Sequence, residues 1–179
     1  MDSETELVER CLLGDCEAFA RLIDPYQQVA LRVAYAIAGP DAEDVVQDAL
    51  VKAYTRLDQF RRGAGFRPWL LAIVANEARN RLRGLGRRSV LELRVAGQRQ
   101  GDAPDPAVEA TKTDTRQRLL SAVADLPVRD REVLALRYFA ELSEAETAAA
   151  LGCAVGTVKS RAHRALTRLR VELAEEVSA

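Results

Sequence analysis

Apolar residues recur at steps of three and four from Glu4 to about Leu85, as in Leu7, Cys11, Leu12, then Ala18 and Leu22, and later Val45, Val46, Ala49, Leu50, Ala53 and Leu57. The same period returns from about Thr115 to Val177, and nowhere does a strict two-residue alternation compete with it. That periodicity specifies helices with one apolar face and leaves no segment suited to a half-buried strand. Between the two blocks runs GQRQGDAPDPAVEATKTD, residues 97 to 114, with Gly97, Gly101, Pro104 and Pro106 and hardly a large apolar side chain. Such a stretch buries too little surface to offset its ordering entropy, so it predicts a linker. The fold class expected is all-α: two small helical domains joined by a flexible linker, with boundaries at 5–88, 89–114 and 115–175.

Punctuation within the blocks is legible. Gly39-Pro40-Asp41 and Arg62-Gly63-Ala64-Gly65 interrupt helices, and Asp41 is placed to cap the helix that follows. Leu126-Pro127 predicts a helix start at a proline whose missing N–H is harmless in the first turn. Ser143 and Glu146 have capping-box spacing, and Gly152 suits the left-handed residue that ends a helix. A second helix follows almost at once, with Val155, Val158, Ala162, Ala165 or Leu166, and Leu169 along one side. Two helices joined by a tight glycine-containing turn predict a helix-turn-helix.

The charges are segregated. The chain carries 26 Lys and Arg against 27 Asp and Glu, so binding to an anionic polymer must come from local patches. In CAVGTVKSRAHRALTRLR, residues 153 to 170, Lys159, Arg161, Arg164, Arg168 and Arg170 stand without a carboxylate. An ordinary solvated helix mixes signs, because neighbouring like charges cost a few tenths of a kcal/mol each, roughly. With the helix-turn-helix around it, the run favours DNA over a merely solvated face. In DAEDVVQDALVKAYTRLDQF, residues 41 to 60, acids dominate; in residues 61 to 88 Arg61, Arg62, Arg67, Arg79, Arg81, Arg83, Arg87 and Arg88 face only Glu77, with Phe66 and Trp69 among them. Cations beside aromatics suit single-stranded nucleic acid. For Trp69, core packing and nucleic-acid contact both remain open, and the two roles are compatible.

Several classes find no support. There is no run of about 18 apolar residues and no cationic lead into an apolar stretch, so neither a membrane span nor a signal peptide is expected, and the reading is cytoplasmic. Cys11, Cys16 and Cys153 are too few for a disulfide framework. They lack zinc-ligand spacing and are read as buried thiols, with Cys153 a small plug in the turn. Asp44 and Asp48 have no metal-ligand companions, and the one histidine, His163, lies in the basic helix. No enzyme, metal or cofactor is expected.

In order and spacing, DAEDVVQDALVKAYTRLDQF, FRPWLLAIVANEARNRLR and LPVRDREVLALRYFAELSEAETAAALGCAVGTVKSRAHRALTRLR resemble the short, extracytoplasmic-function (ECF) sigma factors of bacterial RNA polymerase, group IV of the sigma-70 family. The resemblance implies a first domain that melts promoters and binds core polymerase, and a second that reads duplex. By it, Asp44, Val45, Gln47 and Asp48 dock on the clamp coiled coil of the largest polymerase subunit, with Leu50 and Tyr54 supporting them from within. Arg61, Phe66, Trp69, Asn76, Arg79 and Arg83 take the single strand of the minus-10 element, Asn76 beside the loop that captures a flipped base, with Phe66 and the Arg61 to Pro68 loop shaping the pocket. Lys159, Ser160, His163 and Arg164 read the minus-35 duplex, and Thr157, Arg161 and Arg168 hold its phosphates. Control by an anti-sigma factor, often membrane-tethered, is also implied. Two departures stand out: Ala154 replaces a capping serine, so that Thr157 is expected to cap a later start, and Thr147 replaces a large aliphatic under the turn. The competing classes are an autonomous helix-turn-helix regulator and a helical adaptor that binds only protein.

Overall fold

The computed structural model describes residues 3–61, 63, 65–92 and 110–177, with side chains described within 3–84 and 118–174. Every regular element among the described residues is helical. Residues 93–109, most of the expected linker, lie outside them, as do the side chains of Arg62, Arg87 and Arg88.

The first unit is built from α1 (Glu4–Leu12), α2 (Cys16–Ile23), α3 (Gln27–Ala38), α4 (Ala42–Thr55) and α5 (Phe66–Glu92). Ser3 caps α1 in a reciprocal box with Glu6, and Asp15 caps α2 by accepting from the Ala18 N–H at 3.0 Å. Gly14, at φ +91°, turns the chain between them. That break separates the first two cysteines: Cys11 is buried on α1, whereas Cys16 sits exposed in the first turn of α2, its Sγ 3.3 Å from Tyr54 Oη. The expectation of buried thiols therefore fails at Cys16. α3 is the centre of the unit, with Val33, Ala34 and Ile37 wholly buried against α4 and α5. Asp41 occupies the N-cap position of α4 without making a cap bond; its carboxylate faces Arg81 of α5 instead, at 3.4 Å.

The second unit comprises α6 (Ala110–Asp125), α7 (Val128–Leu134), a π-helical turn over Ala135–Phe139, α8 (Glu144–Leu151) and α9 (Val155–Val177). Pro127 is the N-cap of α7 in extended geometry, one position before the first turn where it was expected. Ser143 caps α8 by accepting from the Glu146 N–H at 3.1 Å, while Glu146 accepts from the Ser143 N–H at 2.7 Å. Gly152 ends the helix at φ +60°, ψ +43°, the left-handed conformation that glycine adopts without strain. α9 then starts at Val155: the Thr157 and Val158 N–H groups both reach the Ala154 carbonyl, which puts Thr157 inside the first turn. Thr157 is not the cap.

The two units pack on each other. One apolar cluster joins Val33, Ile37, Leu71, Val74, Ala75 and Ala78 of the first to Val133, Leu136, Ala148, Leu151 and Val158 of the second. Each large aliphatic in it contributes about 1.5–3 kcal/mol through burial. Polar links cross the same seam, Arg131 Nη1 donating to the Ile37 carbonyl at 2.8 Å and Arg67 Nη2 to the Ala140 carbonyl at 2.6 Å. The remaining core of the second unit lies under α9, where Ala165 and Leu169 meet Ala122, Val123, Leu126 and Leu134.

Candidate nucleic-acid interface

α9 places its charge by helical period. Val158, Ala165 and Leu169 point into the core, so Lys159, Ser160, His163, Arg164 and Arg168 emerge on the other side, all exposed. Carboxylates from other elements support them. Asp130, nearly buried on α7, lies 3.4 Å from Arg164 Nη2 and 3.9 Å from Arg168 Nη1, and Glu144 of α8 lies 3.4 Å from Lys159 Nζ. Each cation keeps more than half its side chain in solvent, 63% for Lys159, 56% for Arg164 and 54% for Arg168. Each acid meets the charged head of its cation, which limits where that head rests while leaving more than half of the side chain in solvent. Sequence reasoning missed Asp130 and Glu144, and no periodicity within α9 could have found them. Thr157 and Arg161 differ from the others: both are half-buried, and Arg161 turns toward α5.

A second face lies on α5. Leu70, Leu71, Val74, Ala75 and Ala78 are buried, which leaves Trp69, Ala72, Asn76, Arg79 and Arg83 along the opposite side at steps of three and four. Trp69 stacks obliquely on Phe66 and Phe60, with ring centroids 5.5 and 5.3 Å apart, while part of its own surface stays open. Core packing and exposure thus coexist in one side chain. Phe66 is wholly buried among Tyr26, Phe60 and Trp69, so it can line the site from within but offers no exposed surface of its own. Arg61 is exposed in the turn before α5. Arg79 donates to Asn76 Oδ1 and pairs with Glu132 of α7 at 3.0 Å.

The acidic helix divides similarly. Asp44, Gln47 and Asp48 are exposed, but Val45 is 1% exposed, packed with Ala49 against α3 and α5; it holds the helix in place and is unavailable to a docking partner. Leu50 is half-buried beneath the helix as expected, whereas Tyr54 sits toward the surface, its ring edge-on to Phe19 at 5.0 Å. Arg81, counted by sequence among the nucleic-acid cations, is committed to Asp41 and Asp44. Among the described residues no group of His, Cys, Asp and Glu is arranged to hold a metal ion, and no helix is long and apolar enough to cross a membrane.

Among the described residues the fold is two helical units that carry cationic faces on α9 and α5. The family models "Sigma-70 region 2" and "Sigma-70, region 4" match residues 22–88 and 116–169. The ECF RNA polymerase sigma-E factor of Escherichia coli K12 is 38% identical over 168 residues, covering 89% of this chain and 88% of its own, and the ECF sigma factor SigW of Bacillus subtilis is 32% identical over 172 residues, covering 89% and 91%. Two solved structures share the arrangement at a TM-score of 0.70 and 29% identity: CnrH in complex with the cytosolic domain of CnrY, covering 97% of this chain and 99% of that one, and the sigma factor RpoE of Bartonella quintana in complex with the anti-sigma factor NepR, covering 87% and 96%. This chain belongs to the ECF sigma factors of the sigma-70 family. It is a transcription initiation factor, not an enzyme.

Proposed function

We propose that the two cationic faces divide promoter DNA between them. α9 reads the duplex of the minus-35 element, with Lys159, Ser160, His163 and Arg164 toward base edges and Arg168 toward phosphate, since a helix of this width fits the major groove and Arg or Lys can meet guanine O6 and N7 there. The Trp69–Arg83 side of α5 holds the melted minus-10 strand: Trp69 offers a stacking surface, Asn76 an amide for the edge of an extruded base, and Arg79, Arg83 and Arg61 cations for the backbone. Asp44, Gln47 and Asp48 meet the clamp coiled coil of the polymerase largest subunit. The protein works in the cytoplasm, and an anti-sigma factor holds it inactive; the complex of its relative RpoE with the anti-sigma factor NepR supports a partner of that kind.

The observation that carries this reading is the placement of a Trp–Asn–Arg row on one helix and an exposed Lys–Ser–His–Arg face on another, on separate units of the fold. Purified protein mixed with core polymerase should yield promoter-dependent transcripts that core alone does not. Transcripts unchanged by its addition would contradict the reading.

A further inference from the structure

The helix that carries Trp69 and Asn76 starts behind a residue that cannot cap it with a side chain. Phe66 is the first residue of α5, and its N–H is among the four at a helix start that have no acceptor within the helix. Gly65 precedes it at φ +72°, a conformation that suits glycine, and brings no side-chain oxygen. The acceptor comes from 62 residues earlier in the chain: Glu4 Oε1 receives the Phe66 N–H at 3.4 Å. The other oxygen, Oε2, accepts from Tyr26 Oη at 2.8 Å. A carboxylate at this end of a helix is favoured by the helix dipole as well.

Tyr26, in the turn between α2 and α3, also meets Phe66 through its ring. The two ring centroids lie 5.7 Å apart, and Phe66 in turn meets Phe60 at 5.6 Å and Trp69 at 5.5 Å. Burial, and then the hydrogen bond to Glu4, push the Tyr26 phenol up to about 12, so it remains a donor at neutral pH. Glu4 is exposed, but the helix that bears it is firmly seated. Ser3 and Glu6 box the first turn of α1, and Leu7, Val8 and Cys11 are buried in one cluster with Leu57, Phe66 and Leu70. Phe66 is thus fixed twice, by its backbone through Glu4 and by its side chain through Tyr26. Trp69, the first member of the strand-facing row, follows one turn later.

We propose that Glu4 and Tyr26 are positioning residues for strand capture: they set where α5 begins and so hold Trp69 and the turn before the helix in the arrangement that receives opened DNA. This rests on the assignment of the Trp69–Arg83 side of α5 to that DNA. Neither residue lies on α4 or α9, so polymerase docking and duplex reading do not depend on them.

The test pairs a local readout with a functional one, both on the full chain. Trp69 is the one tryptophan of the sequence, so its quenching by acrylamide reports on the start of α5. Glu4→Ala removes both acceptor oxygens and should raise that quenching at unchanged helix content by circular dichroism. With core polymerase on one promoter it should lower permanganate reactivity of the opened bases roughly fivefold while closed-complex affinity stays within about twofold. Glu4→Gln keeps a carbonyl oxygen for the Phe66 N–H and should stay within about twofold of wild type in both readouts. Tyr26→Phe keeps the ring on Phe66 and removes the hydroxyl that holds the carboxylate. It should move both readouts in the direction of Glu4→Ala, and it carries the test if that variant loses helix. Quenching unchanged in Glu4→Ala and Tyr26→Phe would overturn the positioning, as would permanganate reactivity unchanged in them while Trp69→Ala loses it. Equal losses in Glu4→Ala and Glu4→Gln would overturn the role of the acceptor. Wild-type reactivity in Trp69→Ala would instead remove the assignment of the α5 face to DNA, and the quenching comparison would still decide whether Glu4 and Tyr26 fix the start of the helix.

Discussion

Arg81 of α5 holds Asp44 of α4 at 2.7 Å and reaches Asp41 at 3.4 Å, tying the helix assigned to polymerase docking to the helix assigned to the opened strand. Asp44, Gln47 and Asp48 are all exposed, and of the three Asp44 is the one paired with Arg81.

Asp48→Lys should therefore reduce affinity for core polymerase at least tenfold, about 1.4 kcal/mol. An exposed substitution of this kind should move stability by no more than about 0.5 kcal/mol. Binding of labelled core by fluorescence anisotropy, alongside a thermal melt, separates the two.

Thr147 lies wholly buried in α8, and its Oγ1 has no hydrogen-bond partner. Leaving a buried hydroxyl unsatisfied costs about 1–3 kcal/mol. Thr147→Val removes that cost with nearly the same shape, so it should raise stability by about 1 kcal/mol and the melting midpoint by about 2–4 °C. Duplex affinity should not change. A lower midpoint would mean that the hydroxyl is satisfied after all.

Glu132 faces Arg79 and Arg83 of α5, Arg129 of α7 and Arg161 of α9, and burial nonetheless raises its pKa. A carboxyl raised in the folded state binds its proton more tightly there than in the unfolded chain, so its contribution is fully present below the unfolded value of about 4.3 and is lost as pH rises through the folded value. The midpoint of Glu132→Gln minus that of the wild type should accordingly increase from pH 4 toward neutrality. A difference that stays flat or falls would show the arginines prevailing over desolvation.

Arg164, more than half exposed, rests its guanidinium 3.4 Å from Asp130. Arg164→Ala should weaken duplex binding by about 1–3 kcal/mol and relax preference at the base it meets; Arg168→Ala should weaken binding evenly across sequences and lower the salt dependence by about one ion. Titrations on matched and mismatched duplexes at two salt concentrations distinguish them.

Local signals carried most of the fold. The Ser143–Glu146 box, Gly152 and the apolar stripe of α9 are each written within a few residues, and each took its expected place. What local pattern could not show was partnership. Val45 looks like Asp44 in a motif, yet one step along the helix turns Val45 into the core. Arg81 reads as one more cation until α4 folds beside it. The run of cations without acids in α9 is balanced by Asp130 and Glu144, and Arg79 is met by Glu132, all supplied by other helices. Asp41 was expected at a cap and found at an ion pair because Arg81 offers its carboxylate a full charge, where the cap offers only a backbone N–H.

The most direct test compares Asn76→Ala with the wild type in two readouts on one promoter: permanganate reactivity of the opened bases and affinity of the closed complex with polymerase. If duplex reading and strand capture belong to separate faces, Asn76→Ala loses permanganate reactivity while closed-complex affinity stays within about twofold. Equal losses in both would contradict the account.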